Sequence, residues 1–180
     1  NTLKSLAVEK SFEKKWENPS EETLKAMGQS TFLVQCAPCH GVDAAGIDGK
    51  AQNLTKRISK EHVVHVIKNG SNSLATAYPA GMPPMMLTED ADIEAVAAYV
   101  AGGFKGEQPA MYAVCAGCHG VDGNGIEYVA PNIRAYDDAL VTAVLKDGKK
   151  SNIGTMPSFD GRLNETQQKA LAAYLRSLGE

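Results

Sequence analysis

The chain has 180 residues, 43% of them apolar and 22% charged, with a net charge of −3. That balance excludes a polybasic nucleic-acid or membrane-surface binder, and equally a disordered acidic tail. The length suits one domain or two small ones, and the longest apolar runs, such as AVAAYVA at 95–101, fall far short of the roughly 20 residues that cross a bilayer.

Taken in chain order, residues 1–19 form a charged arm with no later counterpart. Phe12 and Trp16 are expected to pin it onto a domain, or else the arm leads back to a membrane anchor. A helix then runs into CAPCH at 36–40 and a glycine-rich loop follows. Ser59 is expected to cap a helix over 59–69, and Met82 stands in GMPPM. A third helix is predicted over 88–102, with Thr88 as N-cap, Glu89 and Asp90 in its first turn, and Ile93, Val96, Ala97 and Val100 along one face. AGGFKGEQP at 101–109 breaks that helix.

The pattern then repeats. A helix enters CAGCH at 115–119, DGNG at 122–125 makes a turn, and helices are predicted over 137–147 and 164–178 with Met156 in TMPSF between them. Asn164 and Gln167 form a capping box, and Leu171, Tyr174, Leu175 and Leu178 recur at helical spacing. Aligning Cys36 with Cys115 also carries Gly41, Val42 and Asp43 onto Gly120, Val121 and Asp122, and AQNL at 51–54 onto APNI at 130–133. No alternating apolar pattern is long enough for a sheet. The expectation is an all-α protein with an arm at 1–19 and tandem units at 20–103 and 104–180.

Each unit spends its cysteines on Cys-x-x-Cys-His, which sets the two thiols and the imidazole on one face of a helical turn. Zinc is disfavoured because the second cysteine pair lies far beyond the roughly 20 residues usual between paired motifs. A thioredoxin-type redox pair belongs on a βαβ background and leaves the histidine unexplained, and a disulfide between positions i and i+3 of a helix is geometrically poor. Covalent haem c attachment accounts for all three residues: Cys36 and Cys39, then Cys115 and Cys118, as thioether positions, with His40 and His119 as axial ligands to iron. A buried haem in each unit also supplies core that so short a unit lacks.

For the ligand opposite each histidine, Met82 and Met156 stand at matching places, each before a proline and a terminal helix. Met82 is taken over Met85 and Met86 because it aligns with Met156 and precedes Pro83. His62 and His65 align with Leu140 and Ala143 and are read as ordinary helix residues. The imidazole N–H of His119 is expected to reach the carbonyl of Pro131, and that of His40 the carbonyl of Gln52. Lys146, Lys149 and Lys150 either ring an exposed haem edge or form a solvated face.

With CAPCHG and GMPPM, then CAGCHG, APNI and TMPSF, the sequence resembles class I cytochromes c of the tandem two-haem kind, most of all the two-haem subunit III of cbb3-type cytochrome c oxidases. The resemblance covers nearly everything from about residue 20 onward. It implies two cytochrome c domains, each wrapped around one covalently bound haem c, with His40 and Met82 as one axial pair and His119 and Met156 as the other. It also implies an electron carrier on the periplasmic side of the bacterial inner membrane, with a donor cytochrome c and the oxidase catalytic subunits as partners and any membrane contact through an anchor outside this chain. Gln52 departs from the family's proline. The rival readings are a free periplasmic two-haem shuttle and a two-haem peroxidase, the latter requiring an open position at one iron.

Overall fold

The computed structural model describes residues 19–179; the arm with Phe12 and Trp16 lies outside the described residues. Helix α1 (Glu21–Gln35) starts at Ser20, whose hydroxyl accepts from the Thr23 N–H, and Glu21 and Glu22 sit at the positive end of its dipole. After Cys36 a single turn, α2 (Ala37–His40), carries Pro38 at its start and ends at Gly41, where φ is 81°. Ser59 caps α3 (Lys60–Asn69) through the His62 N–H, as the sequence predicts.

The next helix, α4 (Asp90–Ala101), begins later than expected. Glu89, not Thr88, holds its N-cap position, without a side-chain bond. Leu87 is buried in the core and fixes the entering chain, so the first turn forms after it, and Asp90 and Asp92 complement the dipole.

The Cys-x-x-Cys-His turn of the second repeat forms the end of α5 (Tyr112–His119). Asp137 caps α6 (Asp138–Asp147) through the Leu140 N–H at 2.8 Å. Strands β1 (Lys149–Lys150) and β2 (Thr155–Met156) then pair antiparallel, Lys149 opposite Met156. Two residues per strand are too few to leave an alternating signature, which is why the sequence reading contains no sheet. The predicted capping box of Asn164 and Gln167 opens α7 (Glu165–Ser177).

Packing does not follow the sequence repeats. Helix α1, from the first repeat, lies across α7, from the second, at Gly28, where the Ala170 carbonyl and Tyr174 Cβ come so close that no side chain fits. The Phe32 and Tyr174 rings meet beside this crossing at 5.3 Å. One apolar cluster therefore joins Phe32, Ala37 and Ala44 to Val141, Leu145, Leu163 and Leu171.

The other cluster is its mirror image. Val63, Ile67, Ile93, Val96 and Val100 of the first repeat enclose Tyr112 of the second, and the Tyr99 ring meets Tyr112 at 5.7 Å. Tyr112, Phe32, Ile93, Leu171 and Val96 are the largest fully buried side chains, each contributing about 1.5–3 kcal/mol by leaving water. Even the glycine-rich stretch at 101–109 is packed: Phe104 stacks edge-on against Tyr99 and Tyr112, and the Arg134 guanidinium lies 5.0 Å over its ring.

The two chain segments that pass between the clusters are tied together. Arg57 donates to the carbonyls of Asn132 and Ala135, and the Tyr136 hydroxyl donates to the Lys56 carbonyl at 2.8 Å. The Arg57 guanidinium also lies over the Tyr136 ring at 5.4 Å. Both cores thus draw on both repeats, and the exchange point is clamped by hydrogen bonds to backbone.

Candidate functional site

Both Cys-x-x-Cys-His turns close with the same backbone geometry. The Gly46 N–H donates to the His40 carbonyl and the Gly125 N–H to the His119 carbonyl, each at 2.8 Å, and each loop then returns through a one-pair bridge, Ile47 with Ala51 and Ile126 with Ala130. That return delivers a carbonyl to each imidazole. His40 Nδ1 donates to Gln52 at 2.9 Å and His119 Nδ1 to Pro131 at 2.8 Å.

With Nδ1 committed to a carbonyl, the proton is fixed there and the Nε2 lone pair faces the other way, as an axial ligand requires. Burial holds His119 below the ordinary histidine value, with the Pro131 carbonyl opposing and Arg57 adding to the fall. A neutral imidazole is the ligating form.

The first thiol of each pair is shifted away from the thiolate form. Burial, reinforced by Cys39, pushes Cys36 up to about 11, and burial also raises Cys115. All four cysteines are free, Cys39 and Cys118 being exposed. A thioredoxin-type pair needs the opposite shift. Among the described residues no three His, Cys, Asp or Glu side chains converge as a metal site. Zinc would need such convergence. One axial donor and two thioether positions per turn instead fit an iron whose equatorial ligands belong to a porphyrin.

The methionines lie on paired backbone beyond a tight turn. Met82 exchanges backbone hydrogen bonds with Ser71, and Met156 pairs with Lys149. At Gly70 a Cβ would sit 2.5 Å from the Met82 carbonyl, and at Gly148 2.8 Å from the Met156 carbonyl, so glycine is required before each pair. Met85 and Met86 are exposed.

The two thioethers are distributed across the repeats. Met82 packs in the cluster that holds Cys115, Ala116 and Ile133, whereas Met156 packs in the one that holds Cys36, Leu54 and Phe159. Each methionine therefore packs against the same apolar cluster as the first cysteine of the other repeat's Cys-x-x-Cys-His turn, and not the cluster that holds the first cysteine of its own.

Three residues matter here that the sequence reading set aside. His62 is buried, with Nδ1 2.9 Å from the Gln52 amide and 3.2 Å from Asn152 Oδ1. Gln52 thus uses its backbone for His40 and its side chain for His62. The signal was available, because Gln52 and His62 depart together from their partners Pro131 and Leu140 in the second repeat. Lys149, placed by the sequence reading on a docking rim or solvated face, instead turns inward to the Ser71 hydroxyl at 2.7 Å. Arg57 carried no sequence signal.

Burial holds His62 below its ordinary value, with Lys149, Arg57 and His65 pushing the same way and the Asn152 bond opposing. A depressed histidine favours the folded state above its unfolded value near 6.5, and that contribution is lost as pH falls through the folded value. The unfolding temperature should therefore decline from about pH 6.5 downward, and His62→Leu, which copies the second repeat, should flatten that decline. Parallel pH profiles for the two proteins would rule out His62 as the acid-sensitive group.

Among the described residues no helix is long and apolar enough to cross a membrane. The sequence matches the model of the family described as cytochrome c oxidase, cbb3-type, subunit III, over residues 23–100 and again over 108–175. It is 37% identical over 185 residues to a cbb3-type cytochrome c oxidase subunit CcoP of Helicobacter pylori (strain 52), covering 93% of this chain and 63% of that protein. A subunit CcoP of Rubrivivax gelatinosus is 31% identical over 172 residues, covering 86% of this chain and 55% of that protein. A subunit FixP of Rhizobium meliloti is 32% identical over 181 residues, covering 84% and 60%. The chain spans less than two thirds of the length of these relatives.

Proposed function

The chain belongs to the subunit III family of cbb3-type cytochrome c oxidases, and on that premise we propose that it is an electron carrier with one haem c on each Cys-x-x-Cys-His turn. It takes electrons from a donor cytochrome c on the periplasmic side of the bacterial inner membrane and passes them to the catalytic subunits of the oxidase. Cys36, Cys39, Cys115 and Cys118 hold the haems as thioethers, and His40 and His119 are the proximal ligands. Bound haem supplies the one-electron iron couple; the chain supplies its ligands, its burial and its orientation.

The observation that carries this reading is the matched pair of imidazoles, each oriented by a carbonyl, at 2.9 and 2.8 Å, beside a Cys-x-x-Cys pair. Met82 and Met156 complete the coordination. The distribution of the two clusters favours an exchanged pairing over the in-repeat pairing expected from the sequence: His40 with Met156, and His119 with Met82. A soft, neutral thioether raises the reduction potential, which suits a relay feeding a strong oxidant. With both axial positions filled, neither iron is left open for peroxide.

Haem content and redox titration test the proposal together. The purified chain should carry two haems, accept two electrons from a reduced monohaem cytochrome c, and drop to one of each when Cys36 and Cys39 are replaced by alanine. Fewer than two electrons in the unaltered chain, or rapid peroxide turnover, would overturn it.

A further inference from the structure

Between the two Cys-x-x-Cys-His sites lies a group of cationic side chains without an anion. Lys149 Nζ has one partner, the Ser71 hydroxyl. The Arg57 guanidinium is turned inward onto the carbonyls of Asn132 and Ala135. Neither residue is in any of the ion pairs among the described residues, which involve other lysines and Arg176. Asp137 acts on Arg57 only at a distance.

The group is also self-repelling. Burial first, and Arg57 second, bring Lys149 down to about 8, and Arg57 and Lys149 both lower the adjacent His62. Buried cations without partners are costly, so a site of this kind is completed by an anion.

Its position names the anion. Lys149 is the strand partner of Met156, and Ser71, to which Lys149 donates, is the partner of Met82. Gly70–Ser71 and Gly148–Lys149 occupy equivalent places in the repeats, so this hydrogen bond joins the two methionine-bearing segments. Arg57 donates to the carbonyl of Asn132, next to Pro131, the partner of His119, and stands five residues beyond Gln52, the partner of His40. Thioether attachment and axial ligation leave the two propionate carboxylates of each porphyrin unaccounted for.

We propose that Lys149 and Arg57 bind propionate carboxylates of both haems, forming one cationic cluster between the two irons. The inference rests on the two-haem reading above. Asn152, beside His62, adds an amide to the same wall. A cation held against the propionates favours the reduced iron, so this cluster raises both potentials together and couples one haem's charge to the other's.

Lys149→Met, with Lys150→Met as a control that removes the same charge from an exposed neighbour, tests this by redox titration. Both haems of Lys149→Met should fall in midpoint by the equivalent of at least tenfold in the oxidised-to-reduced ratio, ~59 mV for one electron. Lys150→Met should match the unaltered protein, and Lys149→Arg should restore both midpoints. Retention of both haems and of the methionine-to-ferric-iron charge-transfer bands shows that the variants are folded and ligated. Midpoints unmoved in Lys149→Met, or only one of them moved, overturn the shared cluster; a chain with fewer than two haems overturns the parent reading instead.

Should Lys149→Met fail to fold, isotope-edited infrared spectra of the unaltered protein and Lys149→Arg, with labelled propionates, decide. Carboxylate bands that differ between the two support the contact. Identical bands exclude it.

Discussion

Removing the Met156 thioether is expected to turn the haem on Cys36 and Cys39 high-spin and to leave the haem on Cys115 and Cys118 low-spin. The experiment needs each haem alone. In a chain whose Cys115 and Cys118 are alanine, Met156→Ala should abolish the low-spin spectrum and Met82→Ala should not. With Cys36 and Cys39 replaced instead, the two methionines should exchange effects. Loss of the thioether should also lower the affected midpoint by on the order of 0.1 V, a fraction of the ~0.8 V that axial ligands span. The basis is the apolar partition, Met156 with Cys36 and Met82 with Cys115. A result in which each methionine governs the haem of its own repeat would restore the pairing expected from the sequence and would leave the exchange of helices without consequence for the irons.

That exchange shows where sequence reading stops. The motifs, the helices, the caps at Ser59 and Asn164 and the carbonyls of Gln52 and Pro131 are local features, set by residues a few positions apart, and each was legible. Which first helix lies on which last helix is not local. Both repeats carry equivalent apolar faces, so Phe32 against Tyr174 and Tyr112 against Tyr99 satisfy the same periodicity as the in-repeat alternative.

The decision is made by single close fits, such as the Gly28 notch, and by the packed turn at 101–109, which seats α5 directly on α4 through Phe104. Lys149 was misread for a related reason. A lysine two residues from an exposed aspartate looks solvated, and only the first repeat's Ser71 reveals that it points inward. His62 and Gln52 were the opposite case: their joint departure from Leu140 and Pro131 was visible, but the physical link between them needed coordinates.

The notch leads to the second large effect. Gly28→Ala is expected to destabilise the folded protein by about 3 kcal/mol, at the upper end of what overpacking costs. The new Cβ would sit 2.0 Å from the Ala170 carbonyl oxygen, 2.6 Å from its carbon and 2.7 Å from Tyr174 Cβ. Both helices would have to separate, since two of those atoms are backbone and the third is fixed to it. Separation would loosen the Phe32 to Tyr174 contact and the apolar wall that holds Cys36 and Met156. Alanine's better helix propensity returns at most about 1 kcal/mol and does not offset this.

Gly154→Ala is the control, because nothing lies within 4 Å of a Cβ there. Thermal unfolding of the haem-loaded chains should lower the midpoint for Gly28→Ala by several degrees and leave Gly154→Ala close to the unaltered protein. Because α1 and α7 come from different repeats, the loss should be felt first at the haem on Cys36 and Cys39, whose methionine band should fade at a lower temperature than that of its neighbour. Simultaneous loss of both bands would mean that the two exchanged cores unfold as one unit.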